Sequence, residues 1–130
     1  KFNDADMFYS RAYARYPSDR TVVEYAQFLN LTGNQAKALN MLNEYVKENA
    51  QALNPLLLLA TMQPGQAGIE NYKKVLAINP NNVVALNNIA ELYLEQGAYK
   101  TALPYAERAL ALVPNNTTVK STVAAIKQAM

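Results

Sequence analysis

The stretch "ELYLEQGAYKTALPYAERALALVPNN", Glu91–Asn116, combines good helix formers with small residues at regular spacing. The small residues are Gly97, Ala102, Ala106 and Ala109. Helical periodicity places the three alanines on one stripe, where a core helix usually carries large side chains. Small side chains let two helix backbones approach closely, so we expect this stripe to be a helix–helix contact. The glycine interrupts the helical pattern and predicts a turn between the two helices.

Motifs that mark helix boundaries recur in the chain at a fixed interval. The sequence "NPNN" at 79–82 is followed 34 residues later by "VPNN" at 113–116, and Ala26 and Ala60 are also 34 residues apart. A fixed period of this size is typical of stacked helical repeats, each made of one supersecondary unit. The apolar periodicity within each period predicts helices at residues 2–15, 19–32, 35–48, 55–62, 66–78, 82–96, 99–112 and 116–129.

The pattern from Leu86 to Pro114 resembles a tetratricopeptide repeat, with Leu86 where the family favours tryptophan, Ala90 for its first glycine and Ala106 for a larger residue. An earlier repeat is similar in its residues Tyr25, Ala26, Leu29, Gly33, Ala38, Leu42 and Tyr45. The resemblance implies an all-α fold, a right-handed α-solenoid of stacked antiparallel helix pairs with about eight helices. The irregular array with its "NPNN" punctuation also resembles bacterial cell-envelope repeat proteins of the PEP-CTERM and exopolysaccharide-associated lipoprotein type.

The predicted organisation is one repeat domain over residues 1–130. Its parts are a half-repeat at 1–17, a repeat at 18–50, a shortened repeat at 51–81, a repeat at 82–114 and a capping helix at 115–130. The capping helix is expected to bury Val119, Val123, Ile126 and Met130 and to expose Lys120, Lys127 and Gln128. Because the chain does not begin with methionine, we expect it to be a piece of a longer protein.

The shortened repeat lacks about one helical turn. Ala60 and Gly68 are 8 residues apart, whereas the equivalent Ala90 and Ala102 are 12 apart. We expect Pro55 to be the first residue of a short helix of roughly two turns, and the Pro-Gly pair at 64–65 to form a turn. The shortening is either a tolerated deletion or a functional notch or bend in a binding groove.

Composition excludes several function classes. Histidine and cysteine are absent, which removes the commonest general base and metal ligands, and we expect no metal and no cofactor. The net charge of +2 gives no reason to expect nucleic acid as a partner. The apolar run at 56–60, which no other run in the chain exceeds, is too short for membrane insertion. These features leave open whether the protein lies in the cell envelope, the periplasm or the cytoplasm.

The resemblance implies a concave groove lined by the first helix of each repeat, which binds a peptide or protein segment. The implied groove positions of this chain are Arg20, Val23, Gln27, Asn30, Asn54, Leu57, Val84, Asn87, Glu91, Leu94 and Glu95. Carboxamides can pair with a peptide backbone, and aliphatic residues can take its apolar side chains. The alternative is that these are ordinary exposed helix residues.

Two other functions stay open at this point. The leading half-repeat lacks its partner helix, so Phe2, Phe8, Tyr9 and Tyr13 predict an apolar face that supports a weak homodimer. Glu91 and Glu95 lie four residues apart on one helix face and raise the hypothesis of a carboxylate-based glycan enzyme. We favour a non-enzymatic interaction scaffold with a protein or peptide partner and no catalytic residues.

Overall fold

The computed structural model describes residues 2–130, with side chains from Asp4 onward. Over this range the chain forms eight α-helices and no strand. The helices are α1 (Phe2–Arg15), α2 (Asp19–Leu31), α3 (Gln35–Glu48), α4 (Leu53–Thr61), α5 (Gly65–Ile78), α6 (Val83–Glu95), α7 (Tyr99–Leu112) and α8 (Thr117–Ala129). The predicted helices are confirmed, since every observed end lies within two residues of its predicted position.

The starts of α6 and α8 explain the recurring "PNN" motif. Asn82 caps α6 by accepting a hydrogen bond from the Ala85 N–H at 2.9 Å, and Asn116 caps α8 in the same way from the Val119 N–H at 3.0 Å. A side-chain oxygen at this position satisfies one of the unpaired N–H groups of the first helical turn. The last asparagine of each "PNN" motif is therefore the residue that starts the next helix.

The start of α4 differs from the prediction. The helix begins at Leu53, so Pro55 is its third residue rather than its first. The carbonyl oxygen of Ala52 accepts from the Leu56 N–H at 3.1 Å, which sets the helix start two residues earlier than expected. Proline is tolerated here because the N–H groups of the first turn have no partner within a helix.

Residue contacts divide the chain into two compact units, and the boundary falls within α4, between Leu59 and Ala60. In the first unit α2 packs against both α1 and α3. Its fully buried residues include Val22, Ala26 and Leu42. In the second unit α6 packs against α5, α7 and α8.

The core of the second unit contains the alanine stripe that the sequence singled out. Ala90, Ala102, Ala106 and Ala109 are all fully buried, and the first three form one cluster with Val123 and Ile126 of α8. Small side chains therefore do occupy the contacts between α6 and α7, as expected. Gly97 makes the turn between these helices with a φ of 75°, a backbone conformation that glycine adopts without strain.

The last helix buries the expected apolar stripe except at its end. Val119, Val123 and Ile126 are buried, but Met130 is 59% exposed because α8 ends at Ala129. Lys120, Lys127 and Gln128 are exposed as predicted. Thr122, which the sequence did not single out, is also buried in this helix.

Candidate functional site

A groove of about 530 Å³ lies between α2 and the start of α4 in the first unit. It is lined by Asp19, Arg20, Val23, Glu24, Gln27, Asn54, Leu57 and Leu58. Five of these eight residues are groove positions predicted from the sequence: Arg20, Val23, Gln27, Asn54 and Leu57. The structure therefore brings together residues that are about 30 positions apart in the sequence.

The lining of this groove combines apolar and polar groups. Val23, Leu57 and Leu58 are half-buried aliphatic residues, and the exposed carboxamides of Gln27 and Asn54 lie beside them. Such a surface can bury an apolar side chain while its amides bond to a peptide backbone.

The charged residues of the groove have polar partners among their neighbours. Arg20 Nε lies 3.5 Å from Glu24 Oε2, an exposed ion pair one helical turn apart. Asp19 accepts a hydrogen bond from the Tyr45 hydroxyl of α3, which ties the first turn of α2 to the last turn of α3. Burial, together with this bond and the Asp19 charge, raises the pKa of Tyr45 to about 12, so the hydroxyl stays a donor.

Sequence reasoning missed three lining residues and included one that does not line the groove. Asp19, Glu24 and Leu58 depend on how α4 lies against α2, which repeat periodicity alone does not specify. Asn30 is exposed on α2 but is not part of the lining.

A second concave surface, of about 380 Å³, lies in the second unit. It is lined by Ala60, Thr61, Met62, Gln63, Pro64, Tyr72, Asn88, Glu91, Leu92 and Glu95. We call it the acidic pocket, because Glu91 and Glu95 are its charged residues. Thr122 of α8 donates to Glu91 Oε1 at 3.4 Å, and Asn88 Nδ2 donates to the Tyr72 hydroxyl oxygen at 3.0 Å.

The other predicted positions of α6 lie outside this pocket. Asn87 is buried with 6% exposure, and its Oδ1 has no hydrogen-bond partner among the described residues. Leu94 is half-buried and packs against the core cluster of the second unit. Val84 is 49% exposed and does not line the pocket. Only Glu91 and Glu95 of the predicted set for α6 are therefore brought together.

Residues 58–126 match the family model described as "Tetratricopeptide repeat", which covers more than half of the chain. The chain belongs to the tetratricopeptide repeat family. This membership confirms the resemblance to a tetratricopeptide repeat that was inferred from the sequence. The family's fold is a protein-interaction scaffold that is typically non-enzymatic.

Solved structures share this fold at low sequence identity. The chain is similar to the MamA protein, with a TM-score of 0.85 and 16% identity, covering 98% of this chain and 73% of that one. It is also similar to a tetratricopeptide repeat protein from Parabacteroides merdae ATCC 43184, with a TM-score of 0.87 and 15% identity, covering 98% of this chain and 53% of that one. The predicted all-α repeat fold is thus confirmed.

One curated relative is an uncharacterized protein, ycf37, of Pyropia yezoensis. It is 47% identical over 47 residues, which is 36% of this chain and 26% of that protein. The match thus spans about a quarter of the relative's length.

The N-terminal helix α1 carries an exposed apolar face. Met7, Phe8 and Tyr16 are 45%, 68% and 64% exposed and line a surface groove of about 500 Å³. Tyr9 and Tyr13 are instead half-buried, and their rings lie against rings of α2 and α3 respectively. The side chain of Phe2, also predicted on this face, lies outside the described residues.

Residues 4–130 show neither a metal-binding cluster nor a helix that could span a membrane. No cluster of acidic side chains in residues 4–130 has the arrangement needed to hold a metal ion. None of the described helices has the length and hydropathy to span a membrane.

Proposed function

We propose that this chain is a non-enzymatic interaction module that binds an extended peptide segment in the groove between α2 and α4. The observation that carries the proposal is the convergence of five sequence-predicted positions on one groove of the first unit. The tetratricopeptide repeat fold supports it, because this fold is a protein-interaction scaffold. The localisation stays open between the bacterial cell envelope, the periplasm and the cytoplasm, and a longer parent protein of the lipoprotein type stays a prediction.

The chemistry of the groove suggests how such a segment is held. An apolar side chain of the peptide would pack against Val23, Leu57 and Leu58, which removes apolar surface of both partners from water. The carboxamides of Gln27 and Asn54 each offer a donor and an acceptor to the peptide backbone. Backbone bonds give affinity for extended segments in general, and the apolar contact selects among them.

The proposal is tested by selecting peptides from a random display library on the immobilised protein. Gln27→Arg places a long charged side chain in the groove, so selected peptides should lose binding by about tenfold or more. The matched control is Asn30→Arg, an equal change at an exposed carboxamide of the same helix outside the lining. Equal binding by both variants, or no selected peptide at all, would overturn the proposal.

Self-association is a second candidate, favoured by the exposed face of α1. Met7, Phe8 and Tyr16 are large apolar side chains that a second copy of the chain could cover. Light scattering over a range of concentrations should then show a mass that rises with concentration, and Phe8→Lys should abolish that rise. Leu112→Lys, an equal change at an exposed residue of α7, is the control. A constant monomer mass for the unmodified chain would remove this candidate.

A further inference from the structure

One side of α1 packs into the first unit, and the opposite side is exposed. Asp6, Tyr9 and Tyr13 lie on the packed side. The Asp6 carboxylate accepts a hydrogen bond from the Tyr25 hydroxyl of α2 at 3.1 Å, and the two tyrosine rings lie against rings of α2 and α3. Helical periodicity places six lining residues of the exposed groove on one continuous stripe, which we call the outer stripe. These residues are Asp4, Met7, Phe8, Arg11, Ala12 and Arg15.

The outer stripe has the composition of a surface that complements itself. We propose that it pairs with the outer stripe of a second copy of the chain, with the two α1 helices antiparallel about a two-fold axis. An interface of this symmetry uses the same surface on both copies. This inference rests on the self-association candidate of the proposed function, and it adds the orientation and the register of the helix pair.

The charges of the outer stripe select the antiparallel orientation. Asp4 lies at the N-terminal end of the stripe, whereas Arg11 and Arg15 lie toward its C-terminal end. None of the three forms an ion pair with another residue in the 4–130 range. Parallel helices would place like charges side by side, but antiparallel helices place the carboxylate of each copy near the arginines of the other. The stripe is therefore complementary to a second copy in this orientation.

A single register matches all six residues of the stripe. When the two-fold axis passes between Tyr9 and Ser10, residues at equal distances from this point on the two copies face each other. The facing pairs are Asp4 with Arg15, Met7 with Ala12, and Phe8 with Arg11. They join an acid with a base, a large apolar side chain with a small one, and an aromatic ring with a guanidinium group that can lie over it. By symmetry each pair forms twice.

The side chain of Arg15 is oriented by its neighbour. Its Nε donates a hydrogen bond to the Tyr16 hydroxyl at 3.2 Å, and its guanidinium carbon lies 5.5 Å from the centre of the Tyr16 ring. A guanidinium group has further N–H donors beyond Nε, and these suit a carboxylate. The Asp4 carboxylate of a second copy can accept from them.

The interface is small, because each copy contributes one helix of 14 residues. Its apolar part comes from Met7 and Phe8, which are 45% and 68% exposed and would be removed from water. Interfaces at the low end of the size range belong to weak or transient complexes. We therefore expect a dissociation constant of about 10–300 μM.

The test exchanges the charges of the facing pair Asp4 and Arg15 in the full chain. Asp4→Lys makes both members of the pair positive, and Arg15→Glu makes both negative, so each variant alone should dimerise at least about tenfold more weakly than the unmodified chain. In an equimolar mixture of the two variants, both facing pairs again join opposite charges. The mixture should therefore form a dimer nearly as well as the unmodified chain, as measured by analytical ultracentrifugation.

The matched controls are Glu107→Lys and Lys74→Glu. They make similar charge changes at exposed positions of α7 and α5, outside the outer stripe, and each should dimerise like the unmodified chain. Circular dichroism checks that every variant keeps its helices.

Two results would contradict the register. Asp4→Lys and Arg15→Glu could each dimerise as well as the unmodified chain, or their mixture could stay as monomeric as each variant alone. Either result leaves the self-association candidate intact, since a second copy would then cover α1 in another way. A monomeric unmodified chain at concentrations up to about 1 mM would remove this inference and the self-association candidate together.

Discussion

The last repeat and the shortened repeat solve the same packing problem with different residues. In the last repeat the close contact is made by Ala102, which is fully buried where α7 meets α6. In the shortened repeat the equivalent position is Gly68 of α5, where a Cβ atom would collide with the carbonyl oxygen of Gln63. The same Cβ would lie 3.0 Å from Leu92 Cδ1. In the shortened repeat, which lacks about one helical turn, position 68 thus has no room for a side chain.

This difference bears on the acidic pocket. The segment from Ala60 to Pro64 that presses against Gly68 also supplies half of the pocket lining. Asn71 Nδ2 donates to Gln63 Oε1 at 2.6 Å and holds the same segment to α5. The shortened segment therefore lies beside a concave surface, and a binding role for the shortening stays a prediction.

The largest effect is expected from Gly68→Ala. The added methyl group meets a backbone oxygen, which cannot rotate away, so we expect a loss of about 3 kcal/mol in the free energy of unfolding. This loss exceeds the gain of about 1 kcal/mol that alanine brings to a helix interior. Urea denaturation measures it, with Gln66→Ala at an exposed position of α5 as the control. An unchanged or higher stability would show that the segment at Gln63 yields easily.

A smaller loss is expected from Ala102→Leu. Its side chain would overpack the contact between α6 and α7, at a cost of about 2 kcal/mol. Ala111→Leu makes the same change at an exposed position of α7 and should be nearly neutral. If Ala102→Leu costs more than Gly68→Ala, the contact in the shortened repeat is the looser of the two.

The next loss of stability, at Gly97, should come from backbone strain alone. Gly97 has a φ of 75°, and the nearest group to an added Cβ is the Tyr99 hydroxyl at 3.9 Å, so there is no crowding. Gly97→Val should therefore cost about 1–2 kcal/mol from its conformation. Gly97→Asn should cost less, because asparagine tolerates this backbone region. Equal melting temperatures for Gly97→Val and the unmodified chain would contradict the predicted turn.

The smallest effect is the coupling free energy that shows which neighbour of Gly68 excludes a side chain at this position. Leu92→Ala removes the side chain beside the added methyl but leaves the Gln63 carbonyl in place. The double variant Gly68→Ala/Leu92→Ala should thus show a coupling free energy below about 0.5 kcal/mol, measured by a double-mutant cycle in urea. Strong coupling would make the leucine, which is flexible, the group that excludes a side chain here.

The helices were predictable because their signals are local. Proline, glycine and asparagine mark the helix ends, and the apolar stripes have helical spacing. The observed helix ends therefore differ from the predicted ends by at most two residues. The predicted start of α4 was wrong because the hydrogen bond from the Leu56 N–H to the Ala52 carbonyl oxygen extends the helix upstream of the proline. A sequence pattern does not reveal that a helix continues past a proline in its first turn.

The candidate site was only partly predictable. The groove positions of the tetratricopeptide repeat pattern identified Arg20, Gln27 and Leu57, because helical periodicity places these residues on the side of the helix that faces the groove. The same rule failed to reveal that Asn87 is buried, since burial depends on the packing of α6 against its neighbours. Tyr72 and Asn88 became visible as pocket residues only in the structure, because no repeat position marks them for the groove.

Site-specific photo-crosslinking tests the groove most directly. Benzoylphenylalanine would be introduced at Gln27 or at Asn30, both exposed on α2, and irradiated with one display-selected peptide. The account predicts a covalent product at Gln27, which lines the groove, and none above background at Asn30. Equal products at the two positions, or a product at Asn30 alone, would contradict binding between α2 and α4.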